Sequence, residues 1–69
     1  MLYVVIELRK TNDQIDCTIT KHSDRTSAES KFYAVLSEAA ASSVPKHACS
    51  LITEDGVCLR DGVYEHGEA

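Results

Sequence analysis

The first two segments of the chain alternate between hydrophobic and polar residues. The run LYVVIELR, residues 2–9, has aliphatic side chains at every second position, and QIDCTITKH, residues 14–22, follows the same rule. Such alternation is typical of β-strands with one buried face. The polar, turn-prone segment KTND separates the two runs. The sequence therefore predicts an N-terminal β-hairpin.

The length of the hairpin loop determines which residues pair. An even loop, of two or four residues, pairs Leu8 with Cys17 and Ile6 with Ile19. An odd loop would place Leu8 opposite Asp16 instead. Because a slip of one residue turns every side chain to the other face, the even register is predicted. In that register Cys17 is expected to be a small buried residue.

The next segment, SDRTSAESKFYAVLSEAAASS, repeats its apolar residues at helical spacing. It predicts a helix over residues 24–43, which Ser23, Asp24 or a capping box beginning at Thr26 could start. The helix should end before Pro45, because a residue that precedes proline is disfavoured in the helical region. The apolar stripe consists of Ala28, Phe32, Val35, Leu36, Ala39 and Ser43.

A second hairpin is predicted near the C-terminus. The runs KHACSLIT and VCLRDGVYEH flank EDG, in which Gly56 suits the left-handed position of a three-residue loop. Such a loop pairs Ile52 with Cys58 and Leu51 with Leu59. One face of this hairpin then holds Cys49, Leu51, Val57 and Leu59, and the other holds Ala48, Ser50, Ile52 and Cys58.

The predicted fold is an α+β domain of ββαββ type. One four-stranded antiparallel sheet, in the order 2-1-3-4, carries one helix on one face. The order 2-1-4-3 is the alternative, and both orders keep the first strand in the centre. Residues 1–66 are expected to form a single domain, and residues 67–69 a frayed tail.

Composition and charge narrow the classes of partner. The chain has 69 residues with a net charge of −4 and contains no cluster of Lys and Arg, so binding to nucleic acid is not expected. Its apolar runs are too short for a membrane span, and the N-terminus does not resemble a signal peptide. The three cysteines are an odd and sparse set. A cytoplasmic protein with reduced thiols is therefore predicted.

The His47-x-Cys49 motif is the main candidate for chemistry. Two residues apart on a strand, both side chains project from the same face. A structural zinc site needs four ligands, usually in tight pairs, and no second tight pair is present. Catalysis by Cys49 and His47 would also require an orienting group and a pocket. Catalytic, cofactor-binding and metal-binding residues are therefore not predicted, although a small enzyme or metal-binding protein using this region is the alternative.

One helix can cover only one face of the sheet. The uncovered face is predicted to carry a hydrophobic patch that serves as an interface, because contiguous exposed apolar patches mark interaction sites. A small domain gains missing core from a second subunit, so a homodimer through this face is expected, with an unknown protein partner otherwise. The predicted interface residues are Tyr3, Val5, Ile52, Cys58 and Tyr64. The alternative is that Tyr and Val simply favour strands, with Thr18, Thr20 and Arg60 partly shielding them.

The segment DRTSAESKFYAVLSEAAASSVPKHACSLITEDGVCLRDGVYEH resembles a known group of proteins. These are small uncharacterised ββαββ-type proteins of Gram-positive gut bacteria and their prophages, often encoded near phage structural genes. The shared features are the helix pattern D-R-x-x-A-E-S-K-[FY]-x-x-V-L, the SSVP segment with a following His, and the closing hairpin at EDG. The resemblance implies a phage-linked accessory or assembly role. No activity is assigned to the group.

Taken together, these features predict a small non-enzymatic module for protein–protein interaction or assembly.

Overall fold

The computed structural model describes residues 1–66. The elements, in chain order, are β1 (Tyr3–Thr11), β2 (Gln14–His22), α1 (Arg25–Ala41), β3 (Lys46–Thr53) and β4 (Cys58–Glu65). The strands form one antiparallel sheet in the order β2-β1-β3-β4, which confirms the predicted ββαββ fold and strand order. The predicted frayed tail, residues 67–69, lies outside the described residues.

The first hairpin has the predicted register. Leu8 pairs with Cys17 and Ile6 with Ile19. The last pair before the turn is Thr11 with Gln14, so the loop has two residues and is of the even kind. Its first residue, Asn12, takes a φ of 55°, a left-handed conformation that Asn tolerates better than most residues do.

The helix begins and ends one to two residues inside the predicted range. Asp24 is the N-cap, and its Oδ1 accepts a hydrogen bond of 2.8 Å from the backbone N–H of Ser27. At the other end, the backbone N–H of Ser42 donates to the carbonyl of Ala39 at 3.2 Å. The side chains that the helix buries against the sheet are Ala28, Phe32, Val35 and Ala39.

The helix packs on the face that carries Val5, Cys49 and Leu51. Val5 is 1% exposed, so it belongs to the core, and Tyr3 packs against the edge of the same cluster. The prediction that Tyr3 and Val5 lie on the uncovered face is therefore wrong. The even-numbered residues of β1 face away from the helix, and with them Cys17, which is exposed rather than buried.

The reason lies in the register between β1 and β3. Glu7 pairs with Cys49, and Val5 pairs with Leu51. Paired residues share a face of the sheet, so the apolar residues of β3 bring the odd-numbered residues of β1 under the helix. β1 and β3 are connected through β2 and α1 and not by a tight turn. No turn geometry therefore determines their register.

The second hairpin contains an irregularity that the sequence analysis did not predict. Ile52 pairs with Cys58 as predicted, but Leu51 pairs with Arg60 and not with Leu59. Leu59 is the extra residue of a β-bulge. The bulge reverses the face of the sheet to which each later side chain of β4 points. Tyr64 consequently pairs with His47 on the side of the helix and not on the uncovered face.

Candidate functional site

The face of the sheet opposite the helix is the candidate site, and we call it the open face. It is formed by alternate residues of all four strands, and half of its side chains are aliphatic. Because α1 packs against the other side, none of the described elements lies over this face. Its apolar residues are Val4, Ile6, Leu8, Ile15, Cys17, Ile19, Ala48, Ile52, Cys58 and Val63.

These residues form a continuous surface. Cys17, Leu8, Ala48 and Val63 are neighbours in one row that crosses the whole sheet. The row beside it begins with Ile19 and Ile6 and ends with the polar residues Ser50 and Asp61. On this face Ile15, Ile19 and Val63 are 64%, 57% and 53% exposed. Scattered exposed aliphatic residues are ordinary, but a contiguous apolar surface indicates an interaction site.

Charged side chains surround the apolar centre. Lys21 lies at one corner, and Lys10 and Lys46 form a pair at the opposite end. Glu65 pairs with Lys46, with 3.3 Å between Oε1 and Nζ, and Asp61 lies on β4. Three positive and two negative side chains thus share the rim, although the whole chain has a net charge of −4.

The apolar surface has a depression at its lysine end. An open groove of about 290 Å³ is lined by Leu8, Ile15 and Ala48, with Lys10 and Lys46 beside them. The groove is a concave site on this face into which an apolar side chain of a partner could fit.

The residues that the sequence analysis assigned to the interface are divided between the two faces. Ile52 and Cys58 pair on the open face, next to Val4. Tyr64 lies on the helix side, where its ring stacks on His66 at a centroid distance of 6.2 Å. Leu8, Ile15, Ile19 and Val63 were missed. The alternation in β1 and β2 identified the first three as one apolar face, but that face was taken to be the core.

The His47-x-Cys49 motif lies on the helix side and is enclosed. Cys49 is 1% exposed, and its Sγ points to the carbonyl of Phe32 at 4.0 Å. Burial, with the nearby charge of Glu7 as a smaller cause, raises the pKa of the Cys49 thiol to about 11. A protonated and buried thiol is a poor nucleophile, so this arrangement gives no support to Cys49-dependent catalysis.

His47 has a structural partner. Its Nε2 is 2.6 Å from Oε2 of Glu7, and both side chains are largely buried between the sheet and the helix. Burial acts to raise the pKa of Glu7, but hydrogen bonds from His47 and Arg9 outweigh it, and the pKa lies below its usual value. The pair ties β1 to β3 beneath the helix.

Within residues 1–66, no three His, Cys, Asp or Glu side chains are grouped so that they could hold one metal ion. No helix in the same range is long and apolar enough to cross a membrane.

Comparisons with known proteins identify no relative. No family model, no curated protein and no solved structure matches the chain. The resemblance to the phage-linked group therefore stays a prediction.

Proposed function

We propose that this protein is a small, non-enzymatic module for protein–protein interaction that acts through the open face. The observation that carries the proposal is the apolar row of Cys17, Leu8, Ala48 and Val63, which spans all four strands. A surface of this kind is stabilised when a partner removes it from water.

A second copy of the chain is the partner that we propose. The rim carries both signs of charge, with Lys10, Lys21 and Lys46 against Asp61 and Glu65. Such a rim can complement itself across a two-fold axis, whereas a polyanion such as a nucleic acid would meet the like charges of Asp61 and Glu65 beside the lysines.

The size of the face sets the expected strength. Four strands spaced about 4.8 Å apart, over about seven residues each, give a face on the order of 400–500 Å². A standard interface buries roughly 800 Å² per partner. We therefore expect a dimer that forms at roughly micromolar concentration or above and that dissociates on dilution.

The biological setting that we propose is cytoplasmic and phage-linked. The three cysteines are free, as expected in a reducing compartment. The resemblance noted in the sequence supports an accessory role in assembly, and a self-associating module is suited to that role.

The test is sedimentation equilibrium of the wild type and two variants. Leu8 is 40% exposed in the middle of the open face, so Leu8→Lys places a charge in the proposed interface. Ala34→Lys adds the same charge on the exposed side of the helix and serves as the control. We expect an average mass above 7.6 kDa that rises with concentration for the wild type and Ala34→Lys, and weaker association for Leu8→Lys.

Two results would contradict the proposal. A wild-type mass of 7.6 kDa at every concentration would exclude self-association. Equal association constants for the wild type and Leu8→Lys would show that association does not use the open face.

A further inference from the structure

The outer edge of β2 is a second surface, distinct from the open face. β2 pairs with β1 over all nine of its residues without a shift in register. It contains no proline, and all its residues except Thr20 and His22 are exposed. Long edge strands without proline or a bulge are templates for pairing with another strand.

The backbone groups along this edge can be assigned from the hairpin. Thr11 and Gln14 close a two-residue turn, so they form a hydrogen-bonded pair. Antiparallel pairs alternate between hydrogen-bonded and non-hydrogen-bonded, so the even-numbered residues of β2 direct their N–H and C=O groups to β1. The groups that point outward belong to the odd-numbered residues, Ile15, Cys17, Ile19 and Lys21.

The opposite edge of the sheet differs. β4 contains the bulge that follows Cys58, and bulges at an edge bend the strand and interrupt pairing. Gly62 in the middle of β4 also weakens it as a pairing strand. The protein thus has one edge with a bulge and a central glycine and one edge with neither, although β2 does carry the charged residues Asp16 and Lys21.

We infer that β2 pairs with β2 of a second copy, antiparallel about a two-fold axis through Thr18, to form a continuous sheet. This register keeps all nine residues of both strands paired. It also keeps side chains of the same face together, so both helices lie on one side and the two open faces adjoin. The inference is independent of the dimer proposed above.

The side chains of β2 are compatible with this pairing. On the open face, Cys17 of one copy lies opposite Ile19 of the other, and Ile15 lies opposite Lys21. On the helix side, Asp16 lies opposite Thr20, and two Thr18 side chains meet at the axis. Like charges are never directly opposite, and pairs of apolar or β-branched residues stabilise neighbouring strands. This complementarity of the strand with itself favours a second copy over an unrelated extended peptide.

The position of Thr18 makes the two interfaces separable. Thr18 is exposed and faces the helix side, where its Oγ1 accepts a hydrogen bond of 2.9 Å from Nη2 of Arg9. Thr18→Lys would bring two like charges together at the two-fold axis of the edge dimer and would leave the open face unchanged. Thr18→Val keeps the β-branched shape without the charge and is the matched control.

The test uses Leu8→Lys as the background, because this change weakens association through the open face. We expect Leu8→Lys to retain association that increases with concentration and approaches twice 7.6 kDa. Adding Thr18→Lys should weaken it, and adding Thr18→Val should not. A Leu8→Lys protein that stays at 7.6 kDa up to its highest soluble concentration overturns the inference.

Amide exchange provides a readout that does not depend on the second substitution. In the monomer, the outward N–H groups of Cys17 and Ile19 are open to solvent and should exchange fast. In the edge dimer they are hydrogen-bonded, so their exchange should slow by roughly tenfold or more as concentration rises. Fast exchange at all concentrations overturns the inference even if Thr18→Lys does not fold. That outcome leaves the open-face dimer standing, because the wild type and Leu8→Lys test it separately.

Discussion

Glu7 and His47 form a hydrogen bond of 2.6 Å that joins β1 to β3 beneath the helix. The other carboxylate oxygen of Glu7 is 3.0 Å from Nη1 of Arg9. An ionised carboxylate only accepts hydrogen bonds, so Nε2 of His47 is the donor. The Nδ1 atom of His47 is buried and has no hydrogen-bond partner within residues 1–66. A polar pair in this position contributes to stability only while both partners are present.

Replacing Glu7 by Gln should make stability less sensitive to acid. The pKa of Glu7 is lowered in the folded protein from the ordinary value of 4.5, so its contribution is present above that pH and is lost as pH falls through the lowered pKa. At neutral pH we expect Glu7→Gln to cost about 1.5–3 kcal/mol, the range for hydrogen bonds to charged groups. Urea unfolding across this pH range measures the difference.

The difference between the wild type and Glu7→Gln should shrink as pH drops below 4.5. The groups that face Glu7 are His47, Arg9 and Cys49. Glu38→Gln, on the exposed side of the helix, is the control for loss of a carboxylate. A difference that stays constant down to strongly acidic pH would show that the ionised form of Glu7 adds nothing to stability.

The pattern of the sequence was sufficient for the elements and for the register within the first hairpin, but it left the strand order 2-1-4-3 open beside the observed 2-1-3-4. Because apolar residues alternate with a period of two in β1 and β2, only the even register places them opposite each other. The two-residue turn imposes that register. The helix was equally clear, because Ala28, Phe32, Val35 and Ala39 recur at its period and Pro45 prevents its continuation. These are local relationships, in which sequence neighbours or short loops fix the geometry.

Local relationships do not determine which face of β1 packs against the helix. β1 is apolar on both faces, with Ile6 and Leu8 on one and Val5 on the other. The pairing of β1 with β3 decides between them, and those strands are joined through a 17-residue helix. After the register between β1 and β3, the bulge in β4 is a second feature that the hydrophobic pattern does not predict. The polar pair of Glu7 and His47 is a third such feature. A hydrophobic pattern assigns charged residues to the surface, so it does not predict that Glu7 is largely buried.

Substitution by Lys should destabilise the domain far more at Val5 than at Leu8. Val5 is 1% exposed under the helix, so Val5→Lys buries an unpaired charge and should cost about 3–5 kcal/mol or unfold the domain. Leu8 is 40% exposed, so Leu8→Lys should change the unfolding free energy of the monomer by less than about 1 kcal/mol. Chemical denaturation at low protein concentration compares them. Similar losses for both variants would contradict the assignment of the two faces.

Gly62 lies on β4 directly beneath Leu36 of the helix. A Cβ atom built on Gly62 would be 2.8 Å from Cδ1 of Leu36, the mobile end of a side chain. Gly62→Ala should therefore be tolerated within about 1 kcal/mol, because Leu36 can move and alanine lowers the entropy of the unfolded chain. Gly62→Val should cost about 1–3 kcal/mol through overpacking.

Thermal unfolding with the Leu36→Ala background tests the cause of that cost. If the clash with Leu36 is responsible, Gly62→Val should be less harmful once Leu36 is shortened, and the two effects will not add. Additive effects would indicate that valine at position 62 is disfavoured for a reason unrelated to the helix.

The three thiols should react at different rates with an alkylating reagent. Cys17 and Cys58 are exposed, and Cys49 is enclosed with its pKa raised to about 11, so two thiols should label quickly and one slowly. Cys49 should react only when the domain opens, because the helix covers it. Mass spectrometry of peptides after a short labelling pulse identifies the sites.

Protein concentration should alter only part of this pattern. Cys17 lies in the central apolar row of the open face and on the outward edge of β2, so either proposed dimer would slow its labelling as concentration rises. Thr18→Lys should preserve the protection of Cys17 that comes from the open face, and Leu8→Lys should preserve the protection that comes from the edge. Labelling of Cys17 that is independent of concentration would argue against both dimers, and rapid labelling of Cys49 would mean that the helix does not cover the face assigned to it.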